Sequence, residues 1–204
     1  MNLHRTSGAP DWQSVTPSKR NVFQKIAAAT NGILSPANVI SIVGFGLVIY
    51  GLVQIIDQQF WFGLFFVAIG RLLDIVDGVV AEATHTKSPL GELVDASIDK
   101  IGTLLTIITL FIANIADWRI IIILILPQVI IPIVIFFKRR QGINVHPTRS
   151  GKVSMALVWV SIAGLLLVKA LGCMMAMAFG VYVIAILSLV LGIYALWQYA
   201  TCRD

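Results

Sequence analysis

The sequence predicts an all-α integral membrane protein with six transmembrane helices. Of its 204 residues, 58% are hydrophobic and only 12% are charged, and the mean hydropathy is +0.90. So few charged side chains cannot cover the surface of a globule in water. Apolar runs recur along the chain, each close to the ~20 residues that a helix needs to cross a hydrocarbon core of about 30 Å. Lipid is therefore the expected solvent for most of the chain.

The six spans are predicted at residues 38–56, 60–83, 90–116, 118–137, 153–171 and 174–199. The pair Ser35-Pro36 before the first span is a helix-start signal. Connections between the spans are short, so neighbouring helices are expected to be antiparallel, with no separate soluble domain. Residues 35–204 are accordingly predicted to form one six-helix membrane domain, and any chemistry is expected to take place between its helices.

Residues 1–34 are predicted to form a separate cytoplasmic segment. They are polar and basic and lack the long apolar core of a cleavable signal peptide. From about Ser18, the apolar residues Val22, Phe23 and Ile26 share one helical face, and basic residues lie elsewhere. This pattern predicts an amphipathic helix on the membrane surface.

The orientation follows from the basic residues, which are retained near span ends on the cytoplasmic side. With both termini cytoplasmic, eleven of the fifteen Lys and Arg residues fall on that side and only Arg119 and Lys169 on the other. The net charge of +5 is thus explained by orientation and by attraction to anionic membrane lipids. Nucleic acid is not an expected partner.

Six of the ten acidic residues lie between positions 74 and 99. Asp74 and Asp77 share one helical face of the second predicted span, and Asp95 and Asp99 share one face of the third. The turn signal Ser88-Pro89 lies between them. A tight antiparallel hairpin would bring the two acidic faces together just below the cytoplasmic surface.

Four facing carboxylates at low dielectric need a counter-charge. The candidates are Arg71, Lys100, shared protons or metal ions. Oxygen ligands without His or Cys suit Mg²⁺, Mn²⁺ or Ca²⁺, and paired divalent ions are a recurring way to bind a diphosphate. The alternative is an ion or proton transporter, in which the same aspartates line a conduit.

The spacing Asp74-x2-Asp77-Gly78-x2-Ala81-Glu82-x8-Gly91-x3-Asp95-x3-Asp99 resembles the signature of the CDP-alcohol phosphatidyltransferases, DxxDGxxAR, eight residues, GxxxDxxxD. Seven of the eight fixed positions match with every spacing intact, and the departure is Glu82, where the family pattern has Arg. The resemblance also covers a surface helix and six spans. Asn38 resembles the Pro-Asn-x-x-Thr-like start of the family's first span.

The resemblance implies transfer of a phosphatidyl group from CDP-diacylglycerol to an alcohol, with release of CMP, in phospholipid synthesis. By carry-over, the four aspartates bind Mg²⁺ or Mn²⁺, as two ions in the family pattern, and Asp99 is the general base for the incoming hydroxyl. The residues implied to contact the CDP-lipid are Asn38, Asp74, Gly78, Ala81 and Gly91. The active site is expected to open to the cytoplasm, and a homodimer is expected from the resemblance alone.

The acceptor is expected to carry a phosphate. Gly151-Lys152, and Lys100 after the last aspartate, resemble the phosphatidylglycerophosphate synthases, so glycerol 3-phosphate is the first expectation, with Arg149 and Lys152 as phosphate ligands. Pro147-Thr148 followed by Lys152 is also similar to the cardiolipin synthases, whose acceptor is phosphatidylglycerol. Inositol phosphate is a third candidate. A family member that binds CDP-lipid but has lost turnover is a further alternative, because of Glu82.

Overall fold

A computed structural model describes residues 21–30, 35–84, 86, 88–141, 148–172 and 175–201. Within these residues the chain is all-α, as predicted, and forms seven helices. They are α1 (Val22–Ala29), α2 (Pro36–Ile56), α3 (Phe60–Ala83), α4 (Pro89–Ile112), α5 (Trp118–Arg140), α6 (Arg149–Leu171) and α7 (Met175–Thr201).

Serine and threonine side chains cap three of the helix starts. Ser35 Oγ accepts a hydrogen bond from the Asn38 N–H at 3.1 Å, and Ser88 Oγ accepts one from the Gly91 N–H at 2.9 Å. Thr148 caps α6 in the same way through the Gly151 N–H. These bonds satisfy amide groups that have no partner inside the helix. The Ser35-Pro36 signal therefore starts a helix as predicted, and Ser88-Pro89 both ends the turn and starts α4.

Among the described helices, four are long and apolar enough to cross a membrane: Pro36–Ile56, Trp118–Lys138, Arg149–Leu171 and Met177–Thr201. They indicate an integral membrane protein. Helices α3 and α4 have 24 residues each, about 36 Å at ~1.5 Å per residue, but both carry several charged side chains. The count of six spans therefore stays a prediction. The membrane-surface position of α1 also stays a prediction, and the start of the predicted amphipathic helix, near Ser18, lies outside the described residues.

The chain divides into two compact units. The first consists of residues Met1–Gly51 and Phe65–Gly102, and the second of Leu52–Leu64 and Thr103–Asp204. The boundary predicted at residue 34 separates a surface segment from a membrane domain. It is not a division between compact units, and it stays a prediction.

In the first unit, glycines bring α2 and α3 into close contact. A Cβ atom built on Gly70 would lie only 2.6 Å from the carbonyl oxygen of Gly44 and 2.6 Å from Val48 Cγ2. Phe45 of α2 packs beside Gly102 of α4, where a Cβ would lie 3.6 Å from its ring. Helix α2 thus lies against both helices that carry the aspartates, and it can contribute side chains to their site.

In the second unit, α6 and α7 are antiparallel and joined by polar contacts. Ser154 Oγ donates to the Ser188 carbonyl at 2.8 Å, and Ser188 Oγ donates to the Ser154 carbonyl at 3.0 Å. At the start of α6, the Thr148 N–H donates to the Tyr199 hydroxyl at 2.9 Å. Hydroxyls that bond backbone carbonyls in this way let two apolar helices pack closely without an unsatisfied polar group.

Candidate metal centre

The α3–α4 hairpin brings the acidic faces of the two helices together. Because the helices are antiparallel, Arg71 on α3 is level with Asp99 on α4, and Asp77 is close to Asp95. One carboxylate oxygen from each of Asp74, Asp77 and Asp95 lies within 4.8 Å of the others. Three of the four predicted ligands thus converge as the helical phase and the turn predicted.

The convergent carboxylates fit a hard divalent ion. Asp77 is buried, with 3% of its surface exposed. Asp95 Oδ1 is also buried and accepts no hydrogen bond from the described residues, so an oxygen acceptor is left for a cation. An all-oxygen donor set is typical of Mg²⁺ and Mn²⁺ sites and unlike the His and Cys sets that bind zinc.

Ser41 on α2 supports this cluster, and the sequence analysis missed it. Its side chain is buried, and its hydroxyl donates a hydrogen bond to Asp77 Oδ2. The bond fixes the orientation of the Asp77 carboxylate within the cluster. Asn38-x-x-Ser41 places the hydroxyl one helical turn after Asn38, and this spacing could have indicated a shared face.

Asp99 lies outside the group of three and pairs with Arg71. One guanidinium nitrogen of Arg71 lies 2.6 Å from Asp99 Oδ1, and the other lies 3.2 Å from Asp74 Oδ2. Arg71, one of the counter-charges considered from the sequence, is therefore a cation of this site. The roles of Asp99 as metal ligand and as general base stay predictions.

A pocket opens beside the three carboxylates, between α2 and the α3–α4 hairpin. Asn38, Gly78, Ala81 and Gly91 line it, together with Asp77 and Asp95. All the predicted CDP-lipid contacts except Asp74 are among its lining residues. A Cβ on Gly78 would meet no described heavy atom within 4 Å, so the missing side chain leaves open space in the pocket.

The comparison with protein families covers most of the chain. The family model described as CDP-alcohol phosphatidyltransferase matches residues 34–194. The chain belongs to the CDP-alcohol phosphatidyltransferase family. The matched residues include all four aspartates and the lining of the pocket, and family membership favours an enzyme over a transporter that uses the same aspartates.

A curated relative in this family is the archaetidylinositol phosphate synthase of Aeropyrum pernix. It is 46% identical over 52 residues, which is 26% of this chain and 27% of the relative. The match thus spans about a quarter of the relative's length. No solved structure matches the chain.

The departure from the phosphatidyltransferase signature lies outside the pocket lining. Glu82 is exposed near the end of α3, whereas its neighbour Ala81 lines the pocket. The pocket is also lined by two buried residues with hydroxyl groups, Thr86 and Ser88. The sequence analysis used Ser88 only as a turn signal and did not consider Thr86. Both residues precede α4, and their place in the pocket lining is known only from the structure.

Arg149 and Lys152, the predicted ligands of the acceptor phosphate, lie in the first turn of α6. Both are exposed. They belong to the second unit, whereas the carboxylates and the pocket belong to the first. Their acceptor-binding role stays a prediction.

Proposed function

We propose that the protein transfers the lipid phosphate group of a CDP-linked lipid to the hydroxyl of an acceptor alcohol, with release of CMP, as a step of membrane phospholipid synthesis. The observation that carries the proposal is the convergence of Asp74, Asp77 and Asp95 beside a pocket lined by Gly78 and Gly91. Membership of the CDP-alcohol phosphatidyltransferase family supports it.

The chemistry is a single displacement at phosphorus. The acceptor oxygen forms a bond to the phosphorus of the lipid phosphate, and the bond from that phosphorus to the bridging oxygen of the diphosphate breaks. CMP leaves with the electron pair of that bond. The hydroxyl proton passes to a carboxylate, for which Asp99 is our candidate.

The three carboxylates are proposed to hold Mg²⁺ or Mn²⁺, and Ser41 orients one of them. A bound divalent ion supplies positive charge to a diphosphate and stabilises the negative charge that develops on the leaving CMP. Asn38, Gly78, Ala81 and Gly91 form the space for the CDP group. A Cβ on Gly91 would lie 3.0 Å from Ser88 Oγ and 3.4 Å from Asn38 Oδ1, so a larger residue there would disturb two lining side chains.

We propose a phosphorylated polyol as the acceptor. The name of the Aeropyrum pernix relative supports inositol phosphate, and the Gly151-Lys152 pair supports glycerol 3-phosphate. Both acceptors carry a phosphomonoester, for which Arg149 and Lys152 are the candidate ligands. The name of the relative also suggests a CDP-linked archaeal lipid, CDP-archaeol, as a donor to test beside CDP-diacylglycerol.

The excess of basic residues on one side supports a site that opens to the cytoplasm, with both termini on that side. A cytoplasmic opening suits the chemistry, because CDP and a phosphorylated acceptor are water-soluble groups while the lipid tails remain in the bilayer. A homodimer remains part of the proposal through the family resemblance alone.

The test is CMP release by the purified protein in detergent with Mg²⁺ or Mn²⁺. CDP-diacylglycerol and CDP-archaeol are offered as donors, each with inositol phosphate, glycerol 3-phosphate, phosphatidylglycerol or no acceptor. Acceptor-dependent CMP that is lost in Asp95→Asn establishes the transfer and names both substrates. Folded protein that binds Mn²⁺ but releases no CMP with any pair would refute turnover. Binding of CDP-lipid by that same protein would then identify a family member that has lost turnover.

A further inference from the structure

Arg71 is a charged side chain in a largely apolar helix, and it pairs with aspartates of two helices. It lies one turn before Asp74 on α3, and its guanidinium bridges Asp74 and Asp99, which belong to different helices. The side chains of Arg71 and Asp99 are 21% and 13% exposed. The shorter contact, 2.6 Å, is to Asp99, so the stronger attachment is to the aspartate outside the group of three.

The bridge divides the four aspartates into two sets. Asp77 and Asp95 face the candidate ion, Asp99 faces the guanidinium, and Asp74 contributes to both sets. A second divalent ion at Asp74 and Asp99 would have to occupy the space beside a fixed positive charge. Coulomb repulsion over a few ångströms at low dielectric opposes that arrangement strongly.

We propose that Arg71 acts as the second cation of this site, so that before the CDP-linked lipid binds, the chain takes up a single divalent ion at Asp74, Asp77 and Asp95. This inference rests on the proposed function, in which these carboxylates hold a metal ion. It adds that Asp99 is kept out of the coordination of that ion by Arg71. The Asp99 carboxylate, held by Arg71, is then positioned to accept the proton of the acceptor hydroxyl.

The stoichiometry of Mn²⁺ binding tests the inference without any turnover. The purified protein is titrated with Mn²⁺ in detergent without nucleotide, and free Mn²⁺ is followed by its electron paramagnetic resonance signal. The expected result for the unchanged protein is a single tight ion per chain. In Arg71→Gln, the loss of the neighbouring charge is expected to tighten a second ion by about tenfold or more. Asp99→Asn added to that variant should remove the second ion again.

A pair of single substitutions tests the division of the aspartates without changing Arg71. Asp77→Asn is expected to weaken the tight ion by about tenfold or more, because losing a charged ligand should cost at least as much as losing a residue that only supports one, about 10- to 100-fold. Asp99→Asn is expected to weaken the same ion clearly less than Asp77→Asn does, because the carboxylate it removes is paired with Arg71 and is not a ligand of the ion. Both variants remove one negative charge, so each is the control for the other.

The outcomes separate this inference from the proposed function. If the unchanged protein binds no Mn²⁺, the metal-dependent function itself fails. If it binds two ions of similar affinity, or if Asp99→Asn weakens the tight ion as much as Asp77→Asn does, the role of Arg71 is refuted while the metal site stands. An unchanged stoichiometry in folded Arg71→Gln would also refute it.

Discussion

Substitution of Gly78 by Ala is expected to reduce CDP binding without harming the fold. Gly78 lines the pocket beside Asp77, and an added Cβ would have open space around it, with no heavy atom of the described chain within 4 Å. The methyl group would therefore contact no described protein atom within 4 Å, and under the proposed function it would meet the bound CDP group. Alanine in a helix interior is also more favourable than glycine by about 0.5–1 kcal/mol.

The magnitude follows from the size of one methyl group. Forcing an extra methyl into a filled contact costs about 1–3 kcal/mol, which corresponds to about 5- to 150-fold in a dissociation constant. The assay is isothermal titration of the detergent-solubilised protein with CDP in the presence of Mn²⁺, together with a thermal melting curve without ligand. We expect weaker CDP binding and an unchanged or slightly higher melting temperature.

Gly46→Ala is the matched control. Gly46 lies in α2 of the same unit and does not line the pocket, and a Cβ there would also meet nothing within 4 Å in the described residues. It should keep full CDP affinity. Equal CDP affinities for Gly78→Ala, Gly46→Ala and the unchanged protein would refute the assignment of this pocket to the nucleotide.

Three further predictions concern the supports of the site and the second unit. Gly70→Ala should lower the free energy of unfolding by about 1–3 kcal/mol or more, because its Cβ would lie 2.6 Å from the Gly44 carbonyl oxygen and from Val48 Cγ2. A melting temperature equal to that of Gly46→Ala would contradict this close approach of α2 and α3. Ser41→Ala should weaken Mn²⁺ binding about 10-fold or more, because the hydrogen bond to Asp77 is lost; the measurement is the Mn²⁺ titration followed by electron paramagnetic resonance. Ser41→Thr should keep much of the affinity, and an affinity in Ser41→Ala equal to that of the wild type would show that this bond does not support the metal site. Ser154→Ala and Ser188→Ala should each cost about 1 kcal/mol of stability in denaturant melts while Mn²⁺ affinity stays unchanged; a change in metal affinity would show that these bonds influence the site.

Much of the candidate site could be predicted from the sequence because its geometry is local. Asp74, Asp77 and Gly78 share a face through the helical repeat alone, and the capped turn at Ser88 returns the chain after a few residues. An antiparallel hairpin then has little freedom to place Asp95 elsewhere. Hydrophobic runs predicted α2, α5 and α7 almost to their ends, since each is a continuous apolar helix. The apolar run of α3 also predicted its bounds, although that helix carries several charged side chains. Helix α6 begins earlier than its predicted span because Thr148, which precedes the apolar run at residue 153, caps the helix and starts it at Arg149.

Only the tertiary structure decided how the charges are shared. Whether Arg71 faces lipid, Asp74 alone or Asp99 depends on side-chain rotamers and on the depth at which α3 meets α4, neither of which a repeat pattern encodes. Ser41 reaches Asp77 only because Gly44 and Gly70 let α2 approach α3 closely. The sequence by itself determined which helices carry the acidic faces and that a short turn joins them, since these depend on contacts within a few residues. Long-range packing determined which carboxylates converge in the candidate metal site and which one pairs with an arginine.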